Sequence, residues 1–545
     1  MLLKLMIETF KKIPAAKVAG GIALLSTLLV VYLHIVFGMH AGALWRDEVN
    51  SLEIATMRTF TEMWSNLCFD SFPALFFVLL RLVAGVPATV SDAALRVFGV
   101  SIGLLILGVI WLNARWLGYR IPLVSLVLVG LNPMVIRYGD SIRAYGLGIA
   151  LMLLTFGAMW RLVESFTPKR AAVATLATVL SVQYLYYNAI LLFAICISAA
   201  IVTLRRGAFK QTVMVLLVGA LAAASLAPYL GTIRRVQLWN FIWKAPLTPA
   251  EFWKKLSETL GSPLSFMVWI WVALLVLAMM IGLWAIWRRI PVEAGDRSDE
   301  RLLFALLALL IGTAGYVAFL KILGYLTQPW YYILFVAYAG TCLEMLFASL
   351  RTHSAWIARS VFAFVFAAIT FFPGWRTLQA RQTNVDLVAA RLASVAAEGD
   401  LIIINTWNYG ISFRRYYHGS AEWLTIPPLE DLRTHRVDLV KNQMMSAAPL
   451  APVLQKMEDT LRSGHTIWLV GTLDFVPKGT TPNQLPPGYD GPNGWVGGNF
   501  FRAWAEQTGF FVQQHSSQFE RVRIPNTEPV VVYENLPVSA IRGWR

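Results

Sequence analysis

The feature that most constrains this chain is a succession of apolar stretches close to the ~20 residues an α-helix needs to cross a bilayer. They run over residues 17–38, 94–112, 121–136, 145–163, 171–188, 189–204, 212–229, 265–287, 302–320, 330–350 and 356–372, with a shorter one at 72–86. In hydrocarbon every backbone N–H and C=O must be satisfied within the segment itself, so such stretches read as helices. Composition agrees, since 57% of the 545 residues are hydrophobic and 14% are charged, where soluble chains carry roughly a quarter charged residues. An ordinary soluble enzyme and a disordered chain are both excluded. The expected fold class is a multi-span α-helical membrane protein of about 11–13 transmembrane helices, with a C-terminal extracytoplasmic α/β domain. Three cysteines, Cys68, Cys196 and Cys342, are too few and too scattered for a disulfide framework or a thiolate metal site.

The chain nevertheless carries a formal charge of +15, and its distribution is informative. Residues 1–375 hold 30 basic and 16 acidic side chains, residues 376–545 hold 16 and 15. The excess therefore belongs to the membrane part, where positive charge marks cytoplasmic connections. Lys4, Lys11, Lys12 and Lys17 place the N-terminus inside, and the span that follows them lacks the small-residue cleavage site of a removable leader. Arg115/Arg120, Arg161/Lys169/Arg170, Arg205/Arg206/Lys210, Arg288/Arg289/Arg297/Arg301 and Arg351/Arg359 then mark further cytoplasmic loops. The alternate connections and residues 376–545 face outside, which makes the expected location the plasma (inner) membrane. The division is a transmembrane module over 1–375 and a soluble domain over 376–545. In the latter, 386–397 reads as a helix and 401–404, 466–470 and 530–533 as strands. It has no phosphate-binding glycine loop, and Gly494, Gly497 and Gly498 read as a surface loop. Its near-neutral charge removes nucleic acid as a partner.

Ionisable residues at the outer ends of the spans are the candidates for chemistry. The first external loop reads Trp45-Arg46-Asp47-Glu48. A carboxylate near lipid is a suitable base at neutral pH, and adjacent side chains diverge, so Asp47 and Glu48 cannot share one role. An Arg46–Asp47 salt bridge is the structural alternative. Asp70-Ser71-Phe72-Pro73-Ala74-Leu75 brings another carboxylate, which fits an N-cap equally well. Asn132-Pro133 leads to Arg137, Asp140, Arg143 and Tyr145, and arginines on an outer face suit recognition of phosphate. Arg234, Arg235, Lys244, Lys254 and Lys255 are interleaved with Trp239, Trp243 and Trp253, and residues 251–260 read as an interfacial amphipathic helix. Lys321, Gln328 and Tyr331 lie at a further outer end, where an aromatic belt explains the tyrosines as well as substrate binding does. None of the seven histidines shows a metal-ligand spacing.

These motifs in this order resemble the polyprenyl-phosphate-sugar-dependent integral-membrane glycosyltransferases of the GT-C fold, among them the protein O-mannosyltransferases, the aminoarabinose transferase acting on lipid A, and the rhizobial galacturonosyltransferases. The likeness is clearest over residues 40–160. It implies that Asp47 is the catalytic base with Glu48 its acidic neighbour, and that Arg143 and Tyr145 lie near the donor phosphate with Arg234 and Arg235. Asp70, Asp140, Lys321, Gln328 and Tyr331 are the remaining substrate-binding candidates. The family's His-Pro-Pro-Leu pattern appears here as Phe72-Pro73-Ala74-Leu75, without the histidine. The implied reaction is inverting displacement at an anomeric carbon, from a polyprenyl-phosphate-linked sugar donor to a lipid, glycan or protein acceptor. No cofactor is required, and Asp47, Glu48 and Asp70 together are the candidate holders of a divalent metal. A transporter or flippase of a lipid-linked saccharide is the competing reading, as is a non-catalytic subunit of an envelope polysaccharide machine. Against transport, the acidic groups gather at the outer ends and the two halves show no repeat.

Overall fold

The computed structural model describes residues 15–86, 89–236, 247–288, 297–325, 327–350, 352–488 and 497–545. Lys4, Lys11, Lys12, Trp239, Trp243, Lys244, Arg289, Arg351 and Gly494 lie outside the described residues. Helices dominate: α1 (Ala15–His40), α2 (Arg46–Ala55), α3 (Ala74–Ala84), α4 (Asp92–Trp116), α5 (Pro133–Gly139) and α6 (Tyr145–Glu164) build the part that carries the site. Among the described residues seven helices are long and apolar enough to cross a membrane. They include α1, α4, α6, Asn188–Arg205 and His353–Leu378, and three shorter apolar helices accompany them. The protein is a multi-pass membrane protein.

Helix length by itself supports fewer crossings than the 11–13 expected, and one segment shows why. Residues 121–136 do not form one helix. Pro122 and Pro133 cannot donate to a helical ladder, and the chain breaks into Leu123–Ser125, a π turn at Leu126–Gly130, and α5. All of these residues except Ile121 and Met134 are buried, and such backbone is tolerated at membrane depth only when encased in protein. The otherwise unpaired N–H groups of this buried helix start are satisfied from elsewhere: Glu344 Oε2 accepts from Val124 and Ser125 at 2.6 and 2.8 Å. Asn132 caps α5 by accepting from Met134 and Val135 N–H, with Pro133 as its first residue.

The connections read as cytoplasmic do meet one another at one end of the bundle. Arg206 bonds Glu300 at 3.0 Å and the carbonyl of Val163, Arg301 reaches the carbonyl of Leu117, and Arg359 pairs with Glu344 at 2.5 Å. Asp47, Asp70 and Arg143 lie together at another point, where residues 376–545 dock.

After the last long helix, which runs to Leu378, the chain builds a five-stranded sheet in the order β2-β1-β3-β5-β4. Its strands are β1 (Leu401–Asn405), β2 (Glu422–Thr425), β3 (Ile467–Gly471), β4 (Ser516–Val522) and β5 (Val538–Trp544). The first three are mutually parallel, with β1 central, and β5 pairs antiparallel with β3 and β4. Two expectations are corrected. Residues 530–533 are not a strand: Val530 forms an isolated bridge to Arg381 and the chain turns at Val532–Glu534, so the run serves to tie down the linker after the last membrane helix. Gly497 and Gly498 are not loop residues but open the helix Gly497–His515.

The α/β part is held on the first loop by polar contacts. Leu44 N–H donates to Tyr416 Oη at 2.8 Å, Arg415 pairs with Asp92 at 2.6 Å, and His435 N–H donates to Asn50 Oδ1 at 2.8 Å. Arg46 pairs with Glu534. Arg137 fixes the end of the last membrane helix through the carbonyls of Thr377 and Ala380 and through Gln382.

Candidate active site

Helix α2 begins at Arg46, so Asp47 and Glu48 are its second and third residues, about 100° apart around its axis. That rotation separates their fates. Glu48 is fully buried and its carboxylate is saturated: Arg96 from α4 approaches both oxygens at 2.6 and 2.9 Å. The N–H groups of Trp45 and Ile142 complete it at 3.2 and 2.9 Å. Glu48, expected as a catalytic neighbour, is therefore a clamp that ties the first loop to the segment preceding Arg143. Asp140 is likewise enclosed. His34 of α1 bonds its carboxylate at 2.7 Å, and the fit exists only because Gly99 and Gly103 face it, where an added Cβ would sit 1.9 Å from Asp140 oxygens.

Asp47 instead faces a cavity of about 380 Å³. Asp70 and Arg143 face the same space as an ion pair, with side chains 1% and 7% exposed. Arg143 Nη1 also donates to the carbonyl of Asp47 and to Ser51 Oγ, both at 2.9 Å, while Ser51 donates to the second oxygen of Asp70. Asp70 is thus no helix cap; Pro73 stands at the start of α3. Ser71 beside it is held at φ +61°, a left-handed conformation costly for a side-chain-bearing residue. Burial pushes the Asp70 carboxyl up to about 6, against the lowering pull of Arg143 and of the Ser51 hydrogen bond. The ring of Phe72 lies 4.6 Å from the Arg143 guanidinium and packs edge-on against Tyr145. Where the family pattern has a histidine, this chain presents an aromatic face to the cation. Arg143 Nε is buried and has no hydrogen-bond partner among the described residues.

The α/β part closes the cavity over Asp47 with Trp407, Asn408 and His435. Their placement follows from topology. Trp407 and Asn408 leave the carboxyl end of β1, and His435 belongs to the connection after β2, its parallel neighbour. In open α/β sheets the crevice for ligands lies at carboxyl ends where strand order reverses, and β1, flanked by β2 and β3, is that point. His435 Nε2 lies 3.6 Å from Asp47 Oδ1, and its ring meets Trp407 edge-on at 6.0 Å. Burial pushes the imidazole down to about 4, while the Asp47 charge works the other way. Arg46 Nε stands 3.6 Å from Asp47 Oδ1.

The rest of the lining is aromatic and apolar: Tyr145, Tyr186, Tyr187, Ile190, Ile233, Phe319, Leu323, Tyr325, Trp330 and Tyr331, with Gln328 as a polar exception. Of the residues singled out in sequence, Asp47, Asp70, Arg143, Tyr145, Gln328 and Tyr331 share this lining. Arg234 and Arg235 are exposed on Leu230–Val236, whose Ile233 and Val236 form the wall, and Lys321 is exposed. The amphipathic helix is Pro249–Leu260; Trp253 on it is exposed, while Lys255 is turned inward to Gln328 and Glu258 at 3.4 Å each. The three-carboxylate metal site is dismantled by Arg96 on Glu48 and Arg143 on Asp70. Among the described residues no three His, Cys, Asp or Glu side chains group to hold a metal ion.

Sequence reasoning missed Arg96, Trp407, Asn408 and His435. Arg96 had a signal, being a charged residue within an apolar segment. The other three had none before docking brought them over Asp47.

No family model matches the chain, and no curated protein matches its sequence. Solved structures do match. ArnT from Cupriavidus metallidurans in the apo state superposes with TM-score 0.52 at 12% identity, over 96% of this chain and 98% of that one. The same protein bound to undecaprenyl phosphate gives 0.51 at 11% identity, over 94% and 97%. This chain has the GT-C fold. An Archaeoglobus fulgidus oligosaccharyltransferase in complex with zinc and sulfate overlaps at 0.48 and 12% identity, over 94% of this chain and 73% of that one. The near-complete coverage of ArnT in both directions extends the GT-C likeness through the α/β part, beyond the loops where the sequence motifs lie.

Proposed function

We propose that this protein is an inverting glycosyltransferase that moves a monosaccharide from a polyprenyl-phosphate donor to a hydroxyl of a glycan, glycolipid or protein acceptor at the outer face of the plasma membrane. The observation that carries the reading is one cavity with a carboxylate, Asp47, and a guanidinium, Arg143, on its polar side and an aromatic and apolar wall on the other. The crystallised complex of ArnT with undecaprenyl phosphate supports a donor of that class.

In this reading Asp47 takes the acceptor's proton as its oxygen attacks the anomeric carbon, and the phosphate leaves with the bonding electron pair. Arg143, held by Asp70 and Ser51 on the cavity lining, offers its guanidinium to the phosphate, with Tyr145 beside it. Preorganised donors at a developing anion are worth about 3 kcal/mol each. Tyr331 and Gln328 border the sugar, and Arg234 and Arg235 meet the lipid headgroup at the cavity mouth. The N-terminus is cytoplasmic and the α/β domain lies outside, which agrees with the separation of the basic loops from the cavity.

The test is incubation of the purified protein with a panel of polyprenyl-phosphate monosaccharides, following release of polyprenyl phosphate. Turnover of one donor, abolished in Asp47→Asn, is expected; full turnover by that variant would overturn the assignment of the base.

A further inference from the structure

We propose that His435 of the α/β domain forms a proton-sharing pair with Asp47, so that the base of the reaction is assembled from both parts of the chain. The inference rests on the glycosyl-transfer reading and gives the second part of the molecule a chemical task within it.

Geometry carries the argument. His435 lies on the cavity lining across from Asp47, with Nε2 3.6 Å from Oδ1, a separation that a small movement on substrate binding would close to a hydrogen bond. The histidine is held in place from two sides. Its backbone N–H is bound by Asn50, one turn along the helix that carries Asp47, and its ring abuts Trp407. The same helix therefore positions both members of the pair. Its side chain is 8% exposed, which leaves it the cavity as its working environment. Among the described residues the charged groups that act on it include Asp47 and Arg46 from α2 and Arg143 from the facing segment. Burial first, and the two arginines after it, disfavour a resting imidazolium against the pull of Asp47, so the ring rests neutral.

The step balances as follows. The acceptor oxygen bonds to the anomeric carbon, the bond from that carbon to the phosphate oxygen breaks, and the phosphate keeps the electron pair. The hydroxyl proton passes to the Asp47 carboxylate and on to Nε2 of His435. The resulting imidazolium stands beside a carboxylate that is again ionised, and it returns the proton to water once product leaves. His435 acts through Asp47 and is a positioning and relay residue rather than a group that touches the reacting carbon.

Two measurements decide it. The first compares the wild type with His435→Gln, which keeps hydrogen-bonding capacity but does not titrate. The expected result is a fall in kcat of about 100-fold with little change in donor KM, in the range of general acid–base effects. With it, the acid limb of log kcat against pH should lose one of two titrations, its limiting slope going from about 2 to about 1. Unchanged kcat, or a lower kcat with an unaltered acid limb, would overturn the proposal. The second follows deuterium exchange at the His435 ring C2–H by mass spectrometry across pH and needs no turnover. Asp47→Asn should move the His435 midpoint downward, and an unmoved midpoint would sink the pairing. Should the wild type turn over no polyprenyl-phosphate donor, the functional reading fails, while the exchange midpoint still decides whether the two groups share a proton.

Discussion

Two buried arginine–carboxylate pairs, one in each region where polar side chains gather, look alike until their surroundings are compared. Arg359–Glu344 among the basic loops has side-chain exposures of 6% and 0%, and Arg143–Asp70 at the cavity has 7% and 1%. Each arginine also leaves a buried Nε without a partner among the described residues. Burial and an orphan donor therefore do not separate a site from a strut. What separates them is the neighbourhood. Glu344 is spent on two backbone N–H groups that begin a broken helix, whereas Asp70 and Arg143 border a cavity that also holds Asp47. The first pair repairs backbone that Pro122 left unsupported; the second keeps a guanidinium aimed at open space.

Substitutions should break this comparison in a graded way. The largest effect is expected from Arg143→Ala, which leaves the buried Asp70 carboxylate uncompensated, at about 3–5 kcal/mol of stability. It also removes about 10²–10³-fold in rate from the folded fraction, and thermal unfolding together with single-turnover kinetics measures both. Asp47→Asn should lose about 10³-fold in rate while unfolding near the wild-type temperature, since Arg46 keeps Glu534 and Arg143 keeps Asp70. Glu344→Ala is the converse. It strands Arg359 and two N–H groups and should lower stability by about 3–5 kcal/mol, with kcat of the folded protein intact.

Next in size are two opposed pH dependences. His435 is depressed from 6.5 to about 4, so its contribution to stability is present above 6.5 and is lost as pH falls toward 4. Asp70 is raised from 3.8 to about 6, so its contribution is present below 3.8 and is lost as pH rises toward 6. Each is worth about 3 kcal/mol, and in the wild type they largely cancel between pH 4 and 6.5. Thermal scans should therefore show stability rising with pH across this window in Asp70→Asn and falling in His435→Phe. The smallest effect is reserved for Arg234→Ala and Arg235→Ala. These exposed cations should alter donor capture, kcat/KM, by about threefold or less, with an effect that fades in salt and leaves kcat unchanged.

Much of the site was legible because the first two external loops and the Asn132–Tyr145 segment carry their polar residues in short motifs. Asp47, Asp70, Arg143 and Tyr145 could be named from residue type and position beside apolar stretches, and the structure brings all four to one lining. Glu48 and Asp140 were named by the same logic but face inward, because a sequence shows that a carboxylate is near the membrane and not which helix lies against it. Arg96 and His34 are the residues that claim them. His435 was illegible: 388 positions separate it from Asp47, and only the docking of the sheet's carboxyl edge joins them.

By itself the sequence determined that this is a membrane-embedded helical chain with its positive excess in residues 1–375 and an α/β tail, because hydropathy and charge act locally on each segment. Tertiary structure alone decided which acidic groups face the cavity and which are enclosed, because a carboxylate's fate depends on the side chains packed against it. It also decided that the tail completes the cavity, because a contact between distant segments leaves no periodicity or spacing in the chain to be read.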